Sequence, residues 1–385
     1  MSNQVYCTAP WNGLTIREDG KVKTCCIGQT TLGDLNQVSI RDIRKSIKLD
    51  QIQQDMLSNN PNLDNCQHCI NQENQNGLAT LRQHYLKYYP GFDVGKNALK
   101  FIDIRWNNSC NLGCLYCSTT FSSTWEKRLH QVKKLSPKKT YQDELLDWIL
   151  EEINDIEEVM LVGGEPMLMK QNYTLLSRLP LTCKISIITN LNYDLENLPC
   201  WPDLIQHQKK SIIWNISLEN IGEQFEYVRS GGSWEQIQKN LNLLQQHWPD
   251  NISINMVYNV FSAFTLANTI EYLNQLGIKK INLFPINENP CLDISNFPYQ
   301  VRKIAADHLQ LAHNQHFNSI HPDDRDFYPI QGADSIVRSL LSNHSENILT
   351  LEQFNEKITW YDQWNEKKFV ELWPDVAEMI RSYLQ

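Results

Sequence analysis

The stretch LKFIDIRWNNSCNLGCLYC, residues 99–117, decides how this chain is read. Its first eight residues are a short apolar run carrying Ile102 and Ile104, the pattern of a buried strand. Cys110, Cys114 and Cys117 follow within eight residues, with Gly113 among them to relax the backbone. Three thiolates on one loop can hold three corners of an iron–sulfur cubane and leave the fourth iron open to a ligand. The alternatives are a zinc site, which in a structural role wants four protein ligands, or three cysteines that only pack. Their spacing directly after a strand favours the cluster.

Working outward, residues 158–164, 184–190, 211–218, 252–260 and 279–286 repeat the apolar, β-branched character of 99–106. Helical patterns separate them, notably 141–156 with Leu145, Leu146, Ile149 and Ile153 on one face, 234–248, and 265–276 ending at Gly277. Six β/α units in succession predict a parallel sheet with helices outside, either doubly wound or an open barrel, with ligands at the C-terminal ends of the strands. After Pro290 the strands stop, and the rest reads as helical, with breaks around 322–329 and an amphipathic stretch over 350–384.

The chain has 385 residues, 41% hydrophobic and 21% charged, with 15 Gly and 15 Pro, an ordinary globular composition. Its 35 basic and 44 acidic side chains leave a net charge of −9, which offers no polybasic field for bulk nucleic acid or an anionic membrane. No apolar leader and no membrane-length apolar stretch is found, so a cytoplasmic protein is expected. Eight of the 11 cysteines lie before residue 118, at Cys7, Cys25, Cys26, Cys66, Cys69, Cys110, Cys114 and Cys117. Such clustering in a reducing compartment points to metal, while Cys183, Cys200 and Cys291, being scattered, read as small buried hydrophobes.

CNLGCLYC has the CxxxCxxC spacing of the radical S-adenosylmethionine (radical SAM) enzymes, including the aromatic residue before the third cysteine, and the resemblance extends over roughly residues 96–290. It implies a partial (β/α)6 TIM-like barrel. It also implies a [4Fe-4S] cluster whose open iron binds S-adenosyl-L-methionine and cleaves it to a 5′-deoxyadenosyl radical that abstracts hydrogen from a substrate. Gly163, Gly164, Glu165 and Pro166 resemble the family's GGEP motif, at which the methionine ammonium is bound; the two glycines would let backbone approach that ligand and Glu165 would accept its hydrogen bonds. By the same resemblance Asn190 and Ser217 close strands that face the ligand, Arg229 pairs the methionine carboxylate, and Tyr116 faces the adenine through its backbone. Within the barrel motifs the sequence departs from the family at Glu219, which stands where many relatives have aspartate.

Ahead of the barrel, Cys7, Gly20, Cys25 and the pair Cys66 and Cys69 resemble the CxnGx4C and CxxC pieces of the SPASM or twitch domain. LTIREDGKVKTCC reads as a hairpin turning at Asp19–Gly20. The four cysteines can close the shell of one auxiliary [4Fe-4S] cluster, with zinc as the alternative metal. Cys25 is preferred to Cys26 because it keeps the Gly-x4-Cys spacing. In most relatives this domain follows the barrel, whereas here it comes first. The expected layout is therefore an α/β chain with a small α+β SPASM- or twitch-like auxiliary-cluster domain at 1–95, a radical SAM partial barrel at 96–290 and a helical segment at 291–385.

The resemblance implies a reducing partner such as flavodoxin or ferredoxin, and Lys127, Arg128, Lys133, Lys134, Lys138 and Lys139 form either its docking patch or a solvated face. Three functions compete: modification of a peptide or natural product, oxidation or rearrangement of a small sugar-like or amino-acid-like metabolite, and a noncatalytic iron–sulfur redox sensor. The intact motifs favour an enzyme.

Overall fold

A computed structural model describes residues 6–58, 63–76, 80–93, 97–129, 139–207, 211–286, 289–320, 330–342 and 348–384. In chain order the strands are β1 (Gly13–Ile16), β2 (Lys21–Lys23), β3 (Gly33–Asp34), β4 (Phe101–Ile104), β5 (Gly113–Cys114), β6 (Glu158–Leu161), β7 (Lys184–Thr189), β8 (Ile212–Ser217), β9 (Arg229–Ser230), β10 (Ile252–Tyr258) and β11 (Lys280–Pro285). Each of the six runs read as barrel strands contains one of them: β4, β6, β7, β8, β10 and β11. The helices Trp234–His247 and Leu266–Gln275 form where the 3.6-residue pattern places them. Gly277, at φ +75°, ends the second, and Ile278 N donates back to Leu273 O at 3.0 Å as the helix closes. The helix expected over 141–156 runs instead from Lys139 to Glu151, because the following Asn154 and Asp155 favour a turn.

Two compact units emerge: residues 1–110, 119–188 and 198–212 in the first, and 111–118, 189–197 and 213–385 in the second. In the first, the strands lie in the order β7-β6-β4-β1-β2-β3. The expected hairpin forms from β1 and β2, turning through Gly20 at φ +83°. What the sequence did not announce is that β1 runs parallel to β4, Gly13 opposite Phe101 through Ile16 opposite Ile104. Hairpin and first barrel strand therefore share one hydrogen-bonded ladder. Helix Leu81–Tyr88, opened by a capping box at Thr80 and Gln83, sends Tyr85 into an aromatic core with Trp11, Tyr89 and Phe101.

Trp106, just past β4, is fully buried, and its indole Nε1 donates to Asn172 Oδ1 at 2.6 Å. Asn172 Nδ2 donates onward to Pro166 O at 2.7 Å, which ties the chain after β4 to the chain after β6.

In the second unit β8, β10 and β11 are parallel, with Ile252 opposite Trp214 and Ser253 opposite Lys280. β5 and β9 form a separate antiparallel pair, Cys114 opposite Arg229. After β11 the described residues contain no further strand, only an isolated bridge between Asn282 and Gln331, so the helical reading of 291–385 holds for them. Helices Tyr299–Ser319, Ala333–Leu341, Ile348–Tyr361 and Pro374–Leu384 make up this segment; the breaks expected around 322–329 lie outside the described residues. Buried Arg302 directs its donors at carbonyls, Phe297 at 3.0 Å and Leu340 and Ser342 at 2.8 Å.

Asn172→Ala strands a buried indole N–H and a buried carbonyl, which costs about 1–3 kcal/mol for a group left unsatisfied. A chemical melt of this variant is expected to show that loss, and stability equal to the parent chain would remove the Trp106–Asn172–Pro166 link from the account.

Candidate functional site

Four cysteines from three separate pieces of chain meet in the first unit. Cys7, Cys25, Cys66 and Cys69 line one cavity, together with Ala9, Leu81, Arg82 and Tyr85. Local structure explains the meeting. Cys7 precedes the short helix Ala9–Asn12, Cys25 follows β2, and Cys66 and Cys69 sit three apart, hence on one face, of helix Leu63–Asn76. Burial pushes the Cys7 thiol up to about 12, and negative charge at Cys66 and Cys69 adds to the shift. Cys25 is raised likewise by burial and by Cys7. Thiols so placed disfavour ionisation until a metal supplies positive charge, which is what a ligand set does. Cys26 is different: it is raised to about 11 by burial and then by Asp103, and it does not line the cavity. His68, between the two helical cysteines, is exposed yet also lines the cavity.

Arg82 brings a cation to this cavity and is itself positioned by Glu73, and its Nη1 donates to Tyr6 O at 2.9 Å. Asp103, at the centre of β4, is 1% exposed, and neither carboxylate oxygen has a hydrogen-bond partner. It forms an ion pair with Arg105 Nη1 at 3.1 Å. Nothing in a lone DxR inside an apolar run marked these two residues; only the strand ladder shows that they are enclosed.

The first unit also holds Cys110 and the GGEP residues. Cys110 is fixed by its backbone: its N–H donates to Ser123 Oγ at 3.1 Å and its carbonyl accepts from Thr124 Oγ1 at 2.8 Å. The glycines serve this same loop. A Cβ on Gly164 would stand 2.3 Å from Ser109 O, and Gly163 has φ +130°. The close approach expected toward a ligand is thus an approach of the chain to its own cysteine loop. Glu165 N donates to Ser109 O at 2.8 Å. The Glu165 side chain is fully buried and accepts from Met167 N at 3.2 Å, capping the turn that starts at Pro166. Glu165 is thus enclosed by the fold, with one carboxylate oxygen engaged by the capping bond.

In the second unit, Cys114 lies in β5 and Cys117 N donates to Cys114 O at 3.0 Å, a turn that sets the last two cysteines of the motif. Arg229, 4% exposed, grips Glu219 with a fork, Nε to Oε2 at 2.7 Å and Nη2 to Oε1 at 2.8 Å, while Nη1 reaches Cys114 Sγ at 3.7 Å. Glu219 Oε1 also accepts from Tyr116 Oη at 2.9 Å and Val257 N at 3.3 Å. The fork that the resemblance assigned to the methionine carboxylate is therefore occupied by the chain's own carboxylate. Tyr116 O accepts from Asn289 Nδ2 at 3.0 Å. Asn190 makes a turn, accepting from Asn192 N at 2.8 Å, and donates to Asn111 Oδ1 in the cysteine loop at 2.9 Å. Leu191 beside it takes φ +57°. Ser217 is half-buried at the end of β8. Cys183 and Cys200 are buried, their thiols pushed by burial up to about 12, as packing residues. Among the described residues no three His, Cys, Asp or Glu side chains crowd around a single-ion site; a cubane, with its corners further apart, does not ask for one.

Residues 104–273 match the model of the radical SAM superfamily, and residues 7–70 match that of the SPASM iron–sulfur cluster-binding domain. The chain belongs to the radical SAM superfamily. With membership come the fold, an α/β partial (β/α)6 barrel with an N-terminal SPASM domain, and the cofactors, S-adenosylmethionine and iron–sulfur clusters. No curated protein matches the sequence. Among solved structures, anSMEcpe with bound AdoMet is similar at 15% identity and TM-score 0.43, over 60% of this chain and 63% of that one. The form with bound AdoMet and Cp18Cys peptide gives 13% and 0.38, over 60% and 62%. Streptococcus suis SuiB bound to precursor peptide SuiA gives 14% and 0.39, over 86% and 78%. The chain thus spans under two thirds of the anSMEcpe structures. No helix among the described residues of this radical SAM protein is long and apolar enough to cross a membrane.

Burial pushes the Asp103 carboxyl up to about 6, against the pull of Arg105. The folded radical SAM protein then holds this proton more tightly than the unfolded chain, so Asp103 makes stability fall as pH rises from about 4 to 6, by roughly 3 kcal/mol in all. Denaturant melts of the apo-protein across that range are expected to show a shallower decline for Asp103→Asn; parallel profiles would discard the buried, proton-holding carboxyl.

Proposed function

We propose that this radical SAM enzyme modifies a peptide or peptide-like natural product by hydrogen abstraction, using one reducible [4Fe-4S] cluster on Cys110, Cys114 and Cys117 and one auxiliary [4Fe-4S] cluster on Cys7, Cys25, Cys66 and Cys69. The observation that carries this reading is the convergence of the last four cysteines on one cavity, in the segment that matches the SPASM model. The convergence supports four-ligand closure, and the three-residue set is the one that leaves an open iron. When bound there, the cluster and S-adenosylmethionine supply a carbon radical able to abstract an unactivated hydrogen. The protein's part is holding and shielding. Backbone bonds at Cys110 and the β5–β9 ladder at Cys114 fix the thiols, and Glu165, reading as the methionine-ammonium acceptor, accepts hydrogen bonds as a buried carboxylate.

The peptide class is supported by the SPASM match rather than by any residue contact, and electrons are proposed to come from a flavodoxin- or ferredoxin-type partner. Of the basic cluster proposed to dock it, Lys127 is exposed and Arg128 lies over the Trp125 ring at 5.2 Å; residues 133, 134 and 138 and the side chain of 139 lie outside what is described. Anaerobic incubation of the reduced enzyme with candidate precursor peptides and with small metabolites, following 5′-deoxyadenosine and product mass, tests the substrate class. Turnover of a metabolite with inert peptides would replace it.

Two further outcomes are expected. Reconstituted protein should hold about eight irons per chain by cubane stoichiometry, and about four after Cys110, Cys114 and Cys117 are all changed to Ala; zinc in place of iron at the remaining site would mean that the alternative metal is correct. Glu165→Gln keeps an acceptor for Met167 N but loses the charge-assisted bond, so the affinity for S-adenosylmethionine should drop by about 10- to 150-fold with little change in melting temperature. Unchanged affinity in equilibrium binding would take Glu165 out of the ligand site.

A further inference from the structure

Arg229 is tied to Cys114 in two ways. Its backbone pairs with that of Cys114 in the β5–β9 ladder, and its side chain points a donor at the Cys114 sulfur, Nη1 to Sγ at 3.7 Å. The rest of the guanidinium is committed: Nε and Nη2 are both on Glu219, at 2.7 and 2.8 Å. Glu219, 1% exposed, is held from two more sides by the Tyr116 hydroxyl and the Val257 N–H. The Tyr116 ring stands 5.7 Å from the Arg229 guanidinium carbon. The loop side is fixed as well, since Leu115 N donates to Val228 O at 2.9 Å and the Tyr361 hydroxyl lies 2.9 Å from Gly113 O and 3.2 Å from Val228 O. Neither the thiol nor the guanidinium can move away from the other without breaking this set.

A buried carboxylate–guanidinium pair is costly to assemble and is therefore weak evidence for stability alone. Its geometry is better explained by what the third nitrogen does. A positively charged N–H donor on a cysteine ligand withdraws electron density from the sulfur, which favours the electron-richer reduced cluster, and hydrogen bonds to sulfur are one of the protein's means of setting cluster potentials. The spread of outer groups from a ligand outward, Cys114 to Arg229 to Glu219 to Tyr116 and Val257, is the arrangement that orients such a donor.

We propose that Arg229 is a positioning residue for the Cys110–Cys114–Cys117 cluster: locked by Glu219, it donates a charge-assisted hydrogen bond to the Cys114 sulfur and raises the reduction potential of that cluster, instead of gripping the methionine carboxylate. This rests on the reading that Cys114 is a cluster ligand.

The test uses the full chain, reconstituted anaerobically, as parent, Arg229→Lys, Arg229→Gln and the double variant Arg229→Gln/Glu219→Gln. The double variant removes both buried charges together and so stands in if the single glutamine fails to fold with Glu219 unpaired. Two readouts are taken: the midpoint potential of the S-adenosylmethionine-responsive reduced cluster, followed by electron paramagnetic resonance at poised potentials, and the equilibrium affinity for S-adenosylmethionine. The expected result is a midpoint shifted to more negative potential in the glutamine variants, partial rescue by lysine, and affinity within about twofold of the parent, less than 0.5 kcal/mol. An unshifted midpoint overturns the proposal, and a tenfold or greater loss of affinity with an unshifted midpoint returns Arg229 to the methionine carboxylate. If the parent itself shows no cluster that responds to S-adenosylmethionine, the underlying ligand assignment fails, which is a different result from an unshifted potential.

Discussion

Four thiols that would repel one another once ionised, those of Cys7, Cys25, Cys66 and Cys69, line one cavity, and three more fall within eight residues at 110–117. Burial makes holding such a set harder, as the raised Cys7 and Cys25 thiols show, because each buried sulfur resists the charge it needs in order to ligate. The fold answers with backbone. Cys66 and Cys69 are set by one helical turn, Cys110 by hydrogen bonds to Ser123 and from Thr124, and Cys114 by a two-stranded ladder. Side chains then add positive charge: Arg82 lines one cysteine cavity, and Arg229 reaches the sulfur of Cys114.

Much of this was legible in the sequence because it is local. The apolar, β-branched runs located the six barrel strands, Asp19–Gly20 located the hairpin turn, and eight-residue spacing marked CNLGCLYC. What was not legible is long-range. No local pattern says that β1 lies parallel to β4, since parallel pairing joins residues 88 apart with no turn to announce it. The same holds for Asp103, which reads as a polar interruption of an apolar strand and is a buried, poorly satisfied acid.

The motif residues teach a related lesson. Gly164 was read as clearing space for a ligand, yet the atom that a side chain there would strike is Ser109 O. Glu219, noted in the sequence only as a departure from an aspartate, turns out to be the hub on which Arg229, Tyr116 and Val257 converge. A glutamate, one methylene longer than aspartate, reaches the guanidinium as a fork while still meeting a tyrosine hydroxyl. The single substitution that weakened the resemblance is thus the one that organises the surroundings of the middle cysteine.

The hydroxyl of Tyr361 beside Gly113 O has a consequence for how the enzyme is made. The two residues are 248 apart, and at synthesis rates of about 5–20 residues per second the tyrosine leaves the ribosome roughly 12–50 seconds after the glycine. For that interval the cysteine loop lacks this brace. The brace on the cysteine loop is thus a property of the finished chain, which no fragment ending before residue 361 can carry.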